Sequence, residues 1–424
     1  MQITVSPSTT QGTIRAIASK SAAHRQLICA AFANRSSSIR CEQTNEDITA
    51  TVECLCALGA KIVRNGVFYE VTPIKKINKN AILPCNESGS TLRFLLPICA
   101  VLDGNFTFLM RGRLPSRPLS PLKELLEDNG VILSRPTEDT LSVRGMLSGN
   151  NFEIAGNVSS QFITGLLFAL AILNKGSTLT VTTKIESEPY INITLDALST
   201  FGVKIIKKDN TFIIPENTAF TSPINLEVEG DWSNAAFPLA LGIIGKAPIT
   251  VENLSSSSAQ GDKEIVDALR KFGGRIEETN NCFTAYPSSL SGIEIDASNI
   301  PDLVPILATV ASIAKGKTVI YGASRLRLKE SDRLMSVSTV LSTLGADISQ
   351  TDDGLIINGK EHLIGGTVDS FGDHRIAMSA AVASSVCTQT LTINGAESVN
   401  KSYPDFWRDM KSLGLIFTEN QTTR

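Results

Sequence analysis

Short apolar runs alternate along the chain with longer stretches whose apolar positions recur at helical spacing, and the alternation has a period. The phrase Leu-x-x-x-Gly-small-x-Ile, or a close variant, returns six times. Its copies are Ala57-Leu58-Gly59-Ala60-Lys61-Ile62, Asp128-Asn129-Gly130-Val131-Ile132, Phe201-Gly202-Val203-Lys204-Ile205, Phe272-Gly273-Gly274-Arg275-Ile276, Leu344-Gly345-Ala346-Asp347-Ile348 and Leu413-Gly414-Leu415-Ile416. Their first glycines are 71, 72, 71, 72 and 69 residues apart. Each ends an amphipathic helical run and precedes a strand-like run, where a helix needs a residue that accepts positive φ. A second landmark keeps step: Gly104, Gly176, Gly245 and Gly316 each close a more apolar helix, with Asn34 and Thr388 in the corresponding places of the first and last units.

Each unit therefore reads as strand, helix, strand, helix and hairpin. One hairpin runs from Lys61 to Val71 through Arg64-Asn65-Gly66, another from Ala346 to Ile357 through Asp352-Asp353-Gly354. The helices Gln161 to Leu173, Ala235 to Ile244, Asp302 to Ala314 and Ile376 to Val386 lack a broad polar face, which predicts burial. Six units make an α/β protein of two lobes with three units each, and the middle falls near Thr221-Ser222-Pro223.

Polar residues gather at equivalent helix starts. The more apolar helices open at Lys20-Ser21, Ser88-Gly89-Ser90, Ser159-Ser160-Gln161, Asp231, Pro301-Asp302 and Asp373-His374-Arg375. The amphipathic ones open at Asn45-Glu46-Asp47, Arg117-Pro118, Ser187-Glu188-Pro189-Tyr190, Gln260-Gly261-Asp262, Lys329 to Arg333 and Lys401-Ser402-Tyr403-Pro404. Ser90, Asp47, Asp231 and Asp262 read as N-caps, each contributing about 1 kcal/mol. Capping does not call for cations, yet Lys20, Arg25, Arg93, Arg117, Lys329, Arg333, Arg375 and Lys401 are all placed within a turn of a helix start. The macrodipole disfavours them there, so the pattern predicts an anion held among them in an interlobe cleft.

Composition narrows the classes. With 42% hydrophobic and 19% charged residues and a net charge of −3, the chain has no global basic field for nucleic acid or a membrane surface. The longest apolar run, Phe162 to Leu173, is too short to span a bilayer. The opening strand, without a signal or transit peptide, and eight cysteines without metal spacing predict a cytoplasmic protein. There is no GxGxxG, P-loop or DxDxDG pattern, and three unpaired histidines give no metal site. His24 and His374 read as supporting residues. No cofactor, metal, nucleic acid or membrane partner is expected, and the default is a monomer.

Taken together, Ser19-Lys20-Ser21…Arg25, Gly89…Arg93, Arg117-Pro118-Leu119, Ser159-Ser160-Gln161, Ser187-Glu188-Pro189-Tyr190, Ile300-Pro301-Asp302, Arg327 to Arg333, Gly372-Asp373-His374-Arg375 and Lys401 to Asp405 resemble the 5-enolpyruvylshikimate-3-phosphate synthases over the whole length. The resemblance implies two lobes, each of three βαβαββ repeats, with an interlobe active-site cleft. It places 13–228 in one lobe, mainly on the shikimate 3-phosphate side. Residues 1–12 with 229–424 form the other, which supplies the acid and base and part of the phosphoenolpyruvate site. The crossovers then fall near Thr13 and Val228.

The implied substrates are shikimate 3-phosphate and phosphoenolpyruvate. By the resemblance, Lys20, Ser21, Arg25, Ser159, Ser160, Gln161, Ser187, Tyr190, Asp302 and Lys329 hold the first. Lys20, Gly89, Arg117, Gln161, Arg333, Arg375 and Lys401 hold the second. Asp302 takes the proton of the 5-hydroxyl, and Glu330, with Lys20, delivers one to the methylene carbon. Two stretches depart from the family pattern: Glu87-Ser88-Gly89-Ser90 stands where Asn-Ala-Gly-Thr is frequent, and Arg325-Leu326 where Asn-Trp is frequent. The first leaves the detailed phosphoenolpyruvate contact and the response to glyphosate open, and the second leaves open whether Arg325 is a shikimate 3-phosphate ligand. The sister reaction on UDP-N-acetylglucosamine is the alternative; it calls for a cysteine near Arg111 to Pro118, and that stretch has none. A non-catalytic anion-binding protein on the same fold is the other, and the retained Asp, Glu and Lys argue against it.

Overall fold

In the computed structural model, which describes residues 1–420, six four-stranded sheets are divided between two compact units. The continuous unit is Ala18–Val228, and the split unit joins Met1–Ile17 to Glu229–Arg424. Every sheet follows one plan. Ile82–Asn86 runs parallel to Phe106–Met110, which pairs antiparallel with Thr140–Gly145, which pairs antiparallel with Val131–Ser134. The parallel step needs a helical crossover, and the antiparallel step needs only a hairpin.

Three strands are exchanged along the sequence. Gln2–Ser6 lies between Leu391–Asn394 and Ile416–Asn420, filling the place that a hairpin strand takes elsewhere. Gly12–Arg15 runs parallel to Ile249–Glu252. Asn225–Glu227 runs parallel to Ser37–Arg40. Thr13 thus sits inside a strand of the split unit, in register with Thr250, and the chain leaves that unit only after Ile17. It returns after Val228, beyond Thr221-Ser222-Pro223, because Asn225–Glu227 still belongs to the ladder of the continuous unit.

Twelve α-helices occur among the described residues. Those of the continuous unit are α1 (Lys20–Ala31), α2 (Glu46–Leu58), α3 (Gly89–Val101), α4 (Leu122–Asp128), α5 (Ser160–Leu173) and α6 (Glu188–Thr200). Those of the split unit are α7 (Trp232–Ile244), α8 (Ile265–Lys271), α9 (Val304–Ala311), α10 (Arg333–Thr343), α11 (His374–Ala383) and α12 (Phe406–Ser412). All six glycines of the repeated phrase take positive φ, between 85° and 120°, so the period in the sequence is a period of helix ends. The second landmark is mixed. Gly176 and Gly316 take positive φ, whereas a Cβ on Gly104 would meet the Phe106 ring and the Lys79 carbonyl, and one on Gly245 the Leu241 carbonyl.

The apolar helices are buried as their pattern predicts. In the split unit α7, α9 and α11 bury Phe237, Leu241, Ile306, Leu307, Met378 and Val382 in one core with Ile3 and Val5 from the N-terminal strand. In the continuous unit α3 and α5 meet at Gly165, where a Cβ would come within 2.2 Å of the Arg93 carbonyl oxygen. That close approach brings the first turns of the two helices side by side.

Three of the expected helix starts that carry a cation are displaced. Arg117, ahead of Pro118, has an extended backbone (ψ 136°) after the 3-10 turn Leu114–Ser116, and α4 begins only at Leu122. Lys401 is the last residue of the 3-10 turn Ala396–Lys401, and α12 begins beyond Pro404. Lys329 is extended, after the 3-10 turn Ser324–Leu328, and α10 starts at Arg333. The caps also differ. Ser88, not Ser90, caps α3, and Asn45, not Asp47, caps α2. Asp231 caps α7, while Asp262 lies in the 3-10 turn Gly261–Glu264 and accepts from the Ser233 hydroxyl. No helix among the described residues is long and apolar enough to cross a membrane.

Candidate active site

In the continuous unit the predicted residues form two linked groups. Ser19 caps α1, placing Lys20 and Ser21 in its first turn, and the Lys20 ammonium pairs with Asp47 of α2 at 2.9 Å. Asp47 is therefore a charge partner. One turn on, Arg25 is buried among neutral groups. It donates from Nε to Thr194 Oγ1 (2.8 Å), from Nη1 to the Ser21 carbonyl (2.7 Å) and from Nη2 to the Tyr190 carbonyl (2.9 Å), over the ring of Phe94. Burial pushes its guanidinium down to about 9, against the pull of Tyr190 and Cys29. It remains charged at neutral pH, and a buried cation without a carboxylate is costly, so the site favours an anion.

The second group sits on the first turns of α3 and α5. Ser159 caps α5 through the Gln161 N–H, Ser160 is buried, and the Gln161 side chain bridges the helices. Its Nε2 donates to Ser90 Oγ and its Oε1 accepts from Arg93 Nη1, both at 2.9 Å. Arg93 also donates to the Pro118 carbonyl. Gly89 has no room for a side chain: a Cβ would lie 2.7 Å from Arg117 Nη1 and 2.9 Å from Arg93 Nη1. Two guanidiniums thus converge on the N-terminus of a thirteen-residue helix, an arrangement that an anion would relieve. Glu87, which departs from the family pattern, lies against Gly112. Ser187 is buried at the start of α6 with φ 55° and ψ 40°, and it makes no side-chain bond to the helix's own N–H groups. A non-glycine residue in this region costs about 1 kcal/mol.

The split unit carries a compact ion cluster. Asp302 comes from the 3-10 turn ahead of α9 and accepts from Arg333 Nη1 at 2.7 Å, Lys329 Nζ at 3.4 Å and Arg375 Nη2 at 3.3 Å. Arg333 also binds Glu330 (Nη2 to Oε2, 2.7 Å) and Asp373 (Nε to Oδ2, 2.8 Å). Burial opposes ionisation of Asp302, but Arg375, Lys329 and Arg333 outweigh it and hold the carboxyl well below the ordinary range. Burial opposes the charge on Arg333 too, and Asp373, Glu330 and Asp302 outweigh it, raising its pKa further. Three cations face three carboxylates. Arg333, predicted as a phosphoenolpyruvate ligand, has every nitrogen committed within its own unit. Lys401 is buried on its turn, which packs against α11. Arg325 reaches the Ser298 carbonyl at 2.9 Å, and Arg327 pairs with Asp332, the cap of α10.

Asp373 had no assigned role in the sequence reading, and Arg93 stood there only among the cations at helix starts, outside either substrate's ligand set. Arg93 lies one turn beyond Gly89 on the same face of α3, a spacing that could have marked it. Asp373 caps α11 through the Arg375 N–H, accepts from Ser331 Oγ and is fully buried. Its second function, orienting Arg333, depends on a contact 40 residues away that no local spacing encodes.

The comparisons with known proteins agree with one another. The signature of the family described as EPSP synthase (3-phosphoshikimate 1-carboxyvinyltransferase) matches residues 5–410. A 3-phosphoshikimate 1-carboxyvinyltransferase of Clostridium perfringens is 43% identical over 424 residues, 99% of both chains, and one of Clostridium kluyveri is 42% identical over 415 residues, 97% of both. Among solved structures, an EPSP synthase from Acinetobacter baumannii superposes with a TM-score of 0.83 at 23% identity, over 99% of this chain and 100% of that one. The enolpyruvyl transferase NikO from Streptomyces tendae gives 0.78 at 16% identity over 98% of both, which extends the likeness of fold. With the family signature spanning nearly the whole chain and relatives above 40% identity end to end, this chain belongs to the EPSP synthase family.

Proposed function

We propose that the chain transfers the enolpyruvyl group of phosphoenolpyruvate to the 5-hydroxyl of shikimate 3-phosphate through the residues described above. Arg25, with Ser21, Ser159, Ser160, Gln161, Ser187 and Tyr190, holds shikimate 3-phosphate. Arg117, at the Gly89 turn, and Lys20 hold phosphoenolpyruvate together with Arg333, Arg375 and Lys401. The observation that carries this reading is Asp302 fixed by Lys329, Arg333 and Arg375, with Glu330 on the same guanidinium.

Asp302 in this state is a weak base, because three cations stabilise its charge. The carboxylate and phosphate of phosphoenolpyruvate compete for those cations. As Arg333 and Arg375 turn to the substrate, Asp302 loses partners and its basicity rises. It then accepts the proton of the 5-hydroxyl as that oxygen bonds to C2 of phosphoenolpyruvate, and Glu330, in its protonated form, delivers a proton to C3. The tetrahedral adduct breaks the bond between C2 and the phosphate oxygen while C3 returns a proton to Glu330 and Asp302 gives its proton to the departing phosphate, forming the enol ether and releasing phosphate. Positioned proton transfer contributes ~10²–10⁴-fold, and the surrounding cations stabilise charge moving onto phosphate.

A variant in each unit tests the reading. Arg25→Ala should raise KM for shikimate 3-phosphate, and Asp302→Asn should lower kcat, both measured by phosphate release. Full activity in either variant contradicts the assignment of that unit's residues.

A further inference from the structure

Beneath the Lys20–Asp47 pair runs a chain of buried polar side chains that the transfer does not use. His24 Nδ1 lies 2.6 Å from Thr51 Oγ1, Thr51 Oγ1 lies 2.7 Å from Thr91 Oγ1, and Thr91 Oγ1 donates to Ser88 Oγ at 2.8 Å. All four residues are at most 1% exposed. They come from three helices: His24 from α1, Thr51 from α2, Thr91 from α3, with Ser88 the cap of α3. Thr91 also approaches the Asp47 carbonyl (3.4 Å). The first turns of these helices carry Lys20, Asp47 and Gly89.

The direction of the chain follows from counting protons. Thr91 has one hydroxyl hydrogen, given to Ser88, so its oxygen accepts from Thr51. Thr51 has then spent its hydrogen and accepts from His24 Nδ1–H. This requires a neutral imidazole with the proton on Nδ1. Nε2 has no partner among the described residues, which suits a bare lone pair better than a buried N–H donor. Burial agrees: it lowers the His24 pKa to about 3, with Lys20 and Arg25 acting in the same sense and Asp47 against them, so the ring stays neutral at working pH.

We propose that His24, Thr51 and Thr91 are positioning residues, a one-way hydrogen-bond chain that ties three helix starts together and holds the Gly89 turn in register with Lys20 for phosphoenolpyruvate. This rests on the assignment of Gly89 and Lys20 above. Two measurements test it. In the ¹⁵N-labelled full-length protein, whose three histidines can be resolved, His24 should show the Nδ1–H tautomer and no protonation between pH 5 and 8; an Nε2–H tautomer, or titration near 6.5, overturns the chain. Thr51→Val should raise KM for phosphoenolpyruvate about 10-fold with kcat within about 3-fold, and Thr51→Ser should restore it. Equal behaviour of the two variants, or a fall in kcat at constant KM, overturns the positioning role. If Thr51→Val does not fold, the tautomer measurement on the native chain still decides. The underlying assignment fails separately, if Gly89→Ala and Lys20→Met leave KM for phosphoenolpyruvate unchanged.

Discussion

Arg333 donates to Asp302 across 2.7 Å, and the same guanidinium holds Glu330, so the base and the acid proposed for the transfer are joined through one cation. A turn of Arg333 toward a substrate withdraws charge compensation from both carboxylates at once. Substrate binding and the basicity of Asp302 are thereby linked.

Asp302→Asn keeps the shape and some hydrogen bonds but removes the base. Its kcat should fall by ~10²–10⁴-fold, while KM for phosphoenolpyruvate changes little or falls, because Arg333 and Arg375 lose a competitor. A steady-state comparison on folded protein checks this; an unchanged kcat refutes the base.

The acid side of the stability profile carries the same pair. Asp302 is held below its unfolded value, so the stability it contributes is present above about pH 4 and is lost as pH falls through its lower folded value. Asp302→Asn should flatten the stability curve below pH 4, measured by urea midpoints.

His24 acts over a different window. Its folded pKa of about 3 lies below the ordinary 6.5, so the unfolded chain takes up the proton first as pH drops. Stability present above pH 6.5 should decline by up to about 1.4 kcal/mol per pH unit from 6.5 toward 3. His24→Asn, which keeps a donor toward Thr51 and cannot titrate, should remove that slope.

Gly89→Ala would press a methyl group against Arg117 and Arg93. Displacing a charge-assisted hydrogen bond costs about 1.5–3 kcal/mol, so KM for phosphoenolpyruvate should rise roughly 10- to 100-fold with little change in urea midpoint. Gly165→Ala is the contrasting case. It forces α3 from α5 at the Arg93 carbonyl and should lower stability by about 1–3 kcal/mol.

The repeat was legible because each helix end demands a residue that tolerates positive φ, and six glycines recorded that demand at Gly59, Gly130, Gly202, Gly273, Gly345 and Gly414. The burial of α5, α7, α9 and α11 was legible from their lack of a polar face. The displaced starts at Arg117 and Lys401 were not, since a cation one to three residues ahead of a proline looks the same in a helix's first turn and in the turn before it. Strand exchange left no local trace either: Gly12–Arg15 reads as an ordinary strand, and only its ladder with Ile249–Glu252 assigns it to the split unit. In the candidate site, charge and spacing picked out Lys20, Arg25 and Arg333, and the family resemblance added Asp302. They did not show that Arg333 is already saturated, because Asp302, Glu330 and Asp373 reach it from three separate parts of the chain.

The central claim is that these residues serve one transfer between two anionic substrates. The direct measurement is phosphate release by the purified chain from phosphoenolpyruvate, with shikimate 3-phosphate, with UDP-N-acetylglucosamine, or with neither. The account predicts release only with shikimate 3-phosphate. Release with UDP-N-acetylglucosamine, or without any acceptor, would contradict it.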